Sequence, residues 1–334
     1  MNTRRSYRKY FPIILLLIIV LILVGCFALL EAILDIKYER WKSRFASEWD
    51  SGLSTISENP ILMWENRPYA TFQNSPVVQT NRFGFRDYDY ESRTKPADVF
   101  RISFVGDSVT FGLKVDSENK FTSKFADYAS EEYPAVKIQA MNHGVPGYNT
   151  LQVSELLASR VLQFEPDRVV YVMCLNDFNF EGGAGGTVRY FEKPDSFVLK
   201  RSEEVYRRLR RNLLKRDFHL WHFEKNKHRV FEELLEMKQL LRERDISFQV
   251  VVLPVFRFKF RDSDESFGGY PLTEMHDEIR RFLTREEIDY IDLLEPFSNQ
   301  GRPPEYFSDD LWHPNEEGHE FIAKQLVNFV MGEI

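Results

Sequence analysis

Four short stretches hold residue types that could act on one substrate together. FVGDSVTFG (residues 104–112) runs as an apolar strand into Gly106-Asp107-Ser108 and at once opens a new segment. A serine there is either a helix cap or a nucleophile presented at a sharp strand-to-helix turn. A serine hydroxyl attacks only once a base takes its proton. SDDLWHPNEEGH (residues 308–319) offers such a base in His313, with Asp310 three residues before it. A carboxylate at that spacing in a loop can hold the ring N–H, fix the tautomer and support the imidazolium. Pro314 keeps His313 extended and favours a helix start directly after it. Taken alone, His313 reads as a surface-loop residue; Asp310 three residues before it and a candidate serine far upstream turn the reading to a base.

CLND (residues 174–177) ends another apolar run. Asn176 can aim its amide at a developing oxyanion there, or Asn176 or Asp177 caps the next segment. NHGVPGYNT (residues 142–150) carries Gly144 and Gly147, a loop whose backbone can approach a ligand closely or simply turn. A helix after Ser108 offers a free backbone N–H to the same negative charge. The rival groups are weaker. Asp107 adjoins the serine, where a local turn role fits it, and Asp309 is one residue off the Asp310–His313 spacing. His219, His222 and His228 lie in a basic segment and are expected to be solvated, and His319 reads as a helix-face residue. No HExxH-like pair occurs, so a metal hydrolase has little support. Cys174 has no base placed for it as a nucleophile. With Cys26 it offers neither a plausible disulfide nor metal-ligand spacing.

These stretches need a frame that brings them together. From residue 99 onward, apolar strand-like runs alternate with helical ones. Strands are expected at 99–106, 136–144, 168–177, 247–256 and 289–294. Helices are expected at 111–132, 152–164, 228–245 and 271–287, with a last one from Pro314. Five strands alternating with helices predict a central parallel sheet in a three-layer, doubly wound α/β/α sandwich. Each motif then falls at the carboxyl end of a strand or in a loop, where such folds bind ligands.

The rest of the chain bounds the setting. Its 334 residues are 43% apolar and 28% charged, which suits one sizeable globular domain with additions. Arg4, Arg5, Arg8 and Lys9 give the first ten residues +4, so residues 11–334 carry −7 − 4 = −11, and an acidic body argues against a nucleic-acid partner. Residues 11–34 are apolar except for Glu31, long enough to cross a bilayer. The positive cluster before them predicts a cytoplasmic segment 1–10, a signal anchor at 11–34 and everything beyond on the outer side of the cytoplasmic membrane. Two rivals remain open: a cleaved signal peptide, and a lipoprotein anchored at Cys26, since LVGC resembles a cleavage box. Residues 35–98 read as a juxtamembrane helix and an irregular leader. Trp41, Phe45 and Trp49 share a helix face, packed on the protein itself or lying at the membrane surface. A basic insertion at about 178–227 opens with GGAGG. It is expected to be a solvated subdomain, a cap over the site, or a patch for anionic headgroups or substrate.

In order, GDS at 106–108, the glycine loop NHGVPGYNT, CLND and DLWH resemble the four blocks of the SGNH (GDSL-type) hydrolase superfamily, over roughly residues 99–334. NRFGFRD (residues 81–87) ahead of them also resembles its membrane-anchored bacterial members. The resemblance implies a flavodoxin-like α/β/α fold and an ester hydrolase working through an acyl-enzyme. It implies Ser108 as nucleophile, His313 as general base and then acid, and Asp310 orienting His313. The oxyanion hole would be the backbone N–H groups of Ser108 and Gly147 with the side chain of Asn176. No cofactor or metal is implied. The family's asparagine block usually begins with glycine, where this chain has Cys174, and Val109 stands where leucine is common. The expected substrates are O-acyl esters, acetyl or lipid, on an envelope carbohydrate or a lipid. The alternatives are an O-acyltransferase using the same three residues on an envelope polysaccharide, and a non-catalytic, membrane-anchored binding or scaffold protein.

Overall fold

In the computed structural model, residues 3–49, 52–72, 78–180, 195–213, 217–257 and 270–332 are described. The chain divides into two compact units. One joins Met1–Glu48 with Tyr190–Arg216, and the other joins Trp49–Arg189 with Asp217–Ile334.

The second unit is built on runs too apolar to face water on either side. It begins with two small antiparallel pairs in the leader: β1 (Ser54–Ile56) with β2 (Trp64–Asn66), and β3 (Thr71–Phe72) with β4 (Val78–Gln79). The central strands follow as β5 (Val99–Gly106), β6 (Lys137–Gly144), β7 (Arg168–Cys174), β8 (Ser247–Leu253) and β9 (Asp289–Asp292). Every residue of β7 is buried, and in β5 only Phe100 is partly exposed. Burial on both faces is what a parallel sheet between two helix layers requires. The strands are parallel in the order β6-β5-β7-β8-β9.

From β5 the chain crosses to one side as β6 and then returns to the other side as β7. The switch point therefore lies at the carboxyl end of β5, where doubly wound sheets bind ligands. Gly106 pairs in register with both Gly144 and Val172, so three strand ends meet there. Helix Phe121–Glu132 packs against Glu316–Met331, and Thr150–Ser159 packs against Phe218–Arg242.

Three local expectations change. The helical stretch expected over 111–132 is broken. A four-residue helix, Ser108–Phe111, ends at Gly112 in the left-handed region (φ +77), and the main helix starts at Phe121. The last helix starts at Glu316 rather than at Pro314, because Asn315 caps it by accepting from the Gly318 N–H at 3.1 Å. His219 and His222 are buried, not solvated, since Asp217 caps a helix from Phe218 that packs into this unit. His228 remains exposed on the same helix.

The first unit holds the helix Thr3–Trp49 up to Glu48, and its Tyr10–Arg40 stretch is long and apolar enough to cross a membrane. A second helix, Phe197–Leu213, belongs to the same unit. The GGAGG stretch and the side chains of Trp41, Phe45 and Trp49 lie outside the described residues.

Candidate active site

Ser108 is the first residue of the helix Ser108–Phe111, and the cap of that helix is Asp107, whose carboxylate accepts from the Val109 N–H at 2.9 Å. The capping role open for Ser108 in the sequence is thus taken by its neighbour. The serine is half-buried, with its hydroxyl at the end of β5.

His313 reaches this serine from 205 residues away, its Nε2 lying 3.1 Å from Ser108 Oγ. The other ring nitrogen, Nδ1, lies 2.8 Å from Asp310 Oδ2. Asp310 Oδ1 also accepts from the backbone N–H groups of Trp312 (2.9 Å) and His313 (2.7 Å). Burial pushes the Asp310 carboxyl up, but these hydrogen bonds outweigh it and hold the group below its ordinary range. An ionised Asp310 accepts the proton on Nδ1, which leaves Nε2 as an acceptor facing the serine hydroxyl. Asp309 is engaged elsewhere, accepting from Asn315 Nδ2 at 3.0 Å.

Asn176 joins the same cluster, its Nδ2 donating to Asp107 Oδ2 at 3.1 Å. Cys174 is buried beneath it, with Sγ 3.4 Å from Asp107 Oδ1. Burial, then the Asp107 and Asp177 carboxylates, push its thiol well up, so it stays protonated.

Gly147 sits in a tight turn closed by the Tyr148 N–H to the Val145 carbonyl at 3.2 Å. Pro146 followed by Gly147 at φ +82 is the pattern of a type II turn, which wants glycine at that second place. The Trp64 indole N–H of the leader donates to the Pro146 carbonyl at 3.3 Å and steadies the loop. Gly144 is needed for a different reason. A Cβ there would stand 2.6 Å from Thr110 C and 2.8 Å from Phe111 Cα, so glycine lets β6 press against the serine-bearing helix.

Sequence reasoning passed over three features. Asp107, read from the sequence only as a local turn residue, caps the helix and also holds Asn176. Arg86, from the turn around Gly84, is fully buried and donates to the carbonyls of Gly112, Val115 (2.7 Å) and Phe111 (3.4 Å). These are the carbonyls at and beyond the end of the Ser108 helix. No spacing in the sequence could pair Arg86 with them, because its partners are backbone atoms. Third, a small cavity lies beside Asn176, walled by Val109, Leu175, Val255, Phe256, His219 and Trp312. His219 comes from the segment expected to be solvated.

Among solved structures the chain is similar to an acetyl xylan esterase, AlAXEase, at 18% identity, covering 69% of this chain and 100% of that one, with a TM-score of 0.47. It is similar to the lipase Lip_vut3 from a goat rumen metagenome at 18% identity, covering 69% of this chain and 97% of that one, with a TM-score of 0.47. It is also similar to LAE5, an alpha/beta hydrolase enzyme from the metagenome of Lake Arreo, Spain, at 16% identity. That match covers 69% of this chain and 94% of the other, with a TM-score of 0.44. No curated protein sequence matches the chain. The model of the GDSL-like Lipase/Acylhydrolase family matches residues 104–321, from β5 through the His313 loop and into the last helix. That match takes in well over half of the chain, so this protein belongs to the GDSL-like lipase/acylhydrolase family and is an ester-hydrolysing enzyme.

Proposed function

We propose that this protein is a serine esterase that removes O-acyl groups through an acyl-enzyme, with Ser108, His313 and Asp310 as its catalytic triad. Ser108 Oγ attacks the ester carbonyl while His313 Nε2 takes its proton. The tetrahedral oxyanion is received by the backbone N–H groups of Ser108 and Gly147 and by the side-chain amide of Asn176. Asp107 takes one of the two amide hydrogens of Asn176 and leaves the other for the oxyanion. The alcohol departs with the proton from His313, and water, activated by the same ring, then cleaves the acyl-enzyme. Asp310 holds the ring in the tautomer that this sequence needs. The observation that supports the reading is the hydrogen-bonded chain from Asp310 Oδ2 through His313 to Ser108 Oγ, at 2.8 and 3.1 Å.

We read residues 11–34 as an anchor with the N-terminus inside and the chemistry outside the cytoplasmic membrane; Arg4, Arg5, Arg8 and Lys9 ahead of the apolar run support that orientation. The substrates are then acyl esters of envelope carbohydrate or lipid. The cavity beside Asn176 has a volume of about 20 Å³, and room for a single water takes roughly 10–15 Å³. That size favours an acetyl-sized acyl group over a long chain.

A fluorophosphonate probe tests the mechanism. The expected label sits on Ser108 by mass spectrometry and is lost in Ser108→Ala and in His313→Ala. A label that persists in both, or turnover of p-nitrophenyl acetate unchanged in Ser108→Ala, overturns it.

A further inference from the structure

The helix Phe197–Leu213 has a chemistry that a water-facing helix does not need. Its sequence, FVLKRSEEVYRRLRRNL, carries six basic residues and two acidic ones. At helical spacing Leu199, Ser202, Val205, Tyr206 and Leu209 fall on one stripe, and Lys200, Arg201 and Glu203 fall outside it. Four members of that stripe stand open: Leu199 at 65%, Val205 at 54%, Tyr206 at 63% and Leu209 at 55% exposure. A largely apolar, exposed stripe on a strongly basic helix is the pattern of a helix that lies in a bilayer surface.

Its place in the chain identifies the occupant. The amino terminus of this helix is fastened to the anchor helix by Glu31. The Glu31 carboxylate accepts from the Phe197 N–H at 2.9 Å, the Val198 N–H at 3.1 Å and the Ser196 hydroxyl. Tyr38 adds a ring contact to Phe197, centroids 5.3 Å apart. Glu31 lies near the carboxyl end of the apolar run 11–34, at the level where a bilayer gives way to its headgroups. A carboxylate there needs donors, and the free N–H groups of a helix start supply them.

We infer that Phe197–Leu213 is an interfacial helix resting on an anionic phospholipid bilayer at the outer end of the anchor. Leu199, Val205, Tyr206 and Leu209 insert at the headgroup/acyl boundary, and the net positive charge of the helix sequence draws it to anionic lipid. The inference rests on the reading that residues 11–34 span a bilayer, and it is independent of the ester chemistry.

The test uses the full chain in phosphatidylcholine vesicles with and without phosphatidylglycerol, carrying one environment-sensitive NBD label at a time. The labels sit on native Cys26, which is exposed on the anchor helix, or, in a Cys26→Ser background, on Leu199→Cys, Leu209→Cys or Glu203→Cys. The expected result is blue-shifted emission at Cys26, Leu199→Cys and Leu209→Cys. The last two should lie roughly 5–10 Å into the boundary by nitroxide-lipid quenching. The Glu203→Cys label should stay in water, and phosphatidylglycerol should strengthen the Leu199→Cys and Leu209→Cys signals. A lipid-buried Cys26 with all three helix labels in water overturns the surface helix while the anchor stands. A Cys26 label in water overturns the anchor and the surface helix together. Insertion equal with and without phosphatidylglycerol overturns the anionic-lipid assignment. Thermal unfolding of each labelled variant at the wild-type temperature shows that the positions tolerate the label.

Discussion

Asn176 hands one hydrogen of its side-chain amide to Asp107 at 3.1 Å, and Asp107 is also the cap of the helix that starts with Ser108. One carboxylate thus sets the position of two of the groups assigned to the reaction. Asp107→Ala removes a cap, at about 0.5–2 kcal/mol of stability, and frees the Asn176 amide to rotate. Turnover of p-nitrophenyl acetate should fall by roughly 10–10³ with KM little changed, as expected when an oxyanion donor is misplaced. An equal loss in KM and none in kcat would place Asp107 in substrate binding instead.

Arg86 holds the far end of the same short helix. Arg86→Met leaves the carbonyls of Gly112, Val115 and Phe111 without the guanidinium that serves them. Each unpaired buried group costs about 1–3 kcal/mol, so the variant should unfold earlier in a denaturant series. At temperatures where it is still folded, fluorophosphonate labelling of Ser108 should be slower than in wild type. Normal labelling in a destabilised variant would limit Arg86 to a structural part.

His219 and Trp312 bound the cavity beside Asn176. His219→Ala enlarges it, and each methylene that becomes accommodated is worth roughly 1–3 kcal/mol, or 10–200-fold in selectivity. The ratio of kcat/KM for p-nitrophenyl butyrate over acetate should therefore rise at least about tenfold. An unchanged ratio would put the acyl group elsewhere.

Acid should loosen the fold through His143. Its ring is fully buried against Phe85 and Phe164, centroids 4.4 and 5.0 Å away, with no hydrogen-bond partner on either nitrogen. Burial, aided by the charges of Arg160 and Arg101, lowers its pKa from 6.5 to about 3. The folded state therefore prefers the neutral ring, and the unfolded chain takes the proton first as pH drops below 6.5. Stability present above 6.5 is lost progressively down to about 3. At pH 5 the loss is about 2 kcal/mol for this ring. His143→Phe should shrink the drop in unfolding free energy between pH 7 and pH 5 by about that amount. An unchanged drop would mean that the ring is not kept neutral by burial.

The alternation of apolar runs with helical periods was enough to read five parallel strands from the sequence, because strands buried on both faces leave an unbroken apolar signature. The stretches around Ser108, Gly147 and Asn176 could be placed after strand ends for the same reason, and the one around His313 in the loop before the last helix. The Asp310–His313 pair was legible because its hydrogen bond is local, three residues apart. Other features were not legible. The charges of residues 200–216 hid a helix start at Phe218, so His219 and His222 read as solvated. The Asn315 cap moved the last helix past Pro314 because a side-chain hydrogen bond, unlike a ring constraint, leaves little trace in composition. The part of Arg86 rests on backbone carbonyls 25 to 29 residues away, which carry no residue identity to read.

By itself the sequence determined the layer architecture, the apolar segment 11–34, and which side chains are chemically able to act. Only the tertiary structure decided which of them meet. Ser108 Oγ and His313 Nε2 come within 3.1 Å because strand order and crossovers fold a chain separation of 205 residues back onto the end of β5. Such closure depends on the packing of whole strands and helices around a shared core, and no single stretch of residues encodes that packing locally.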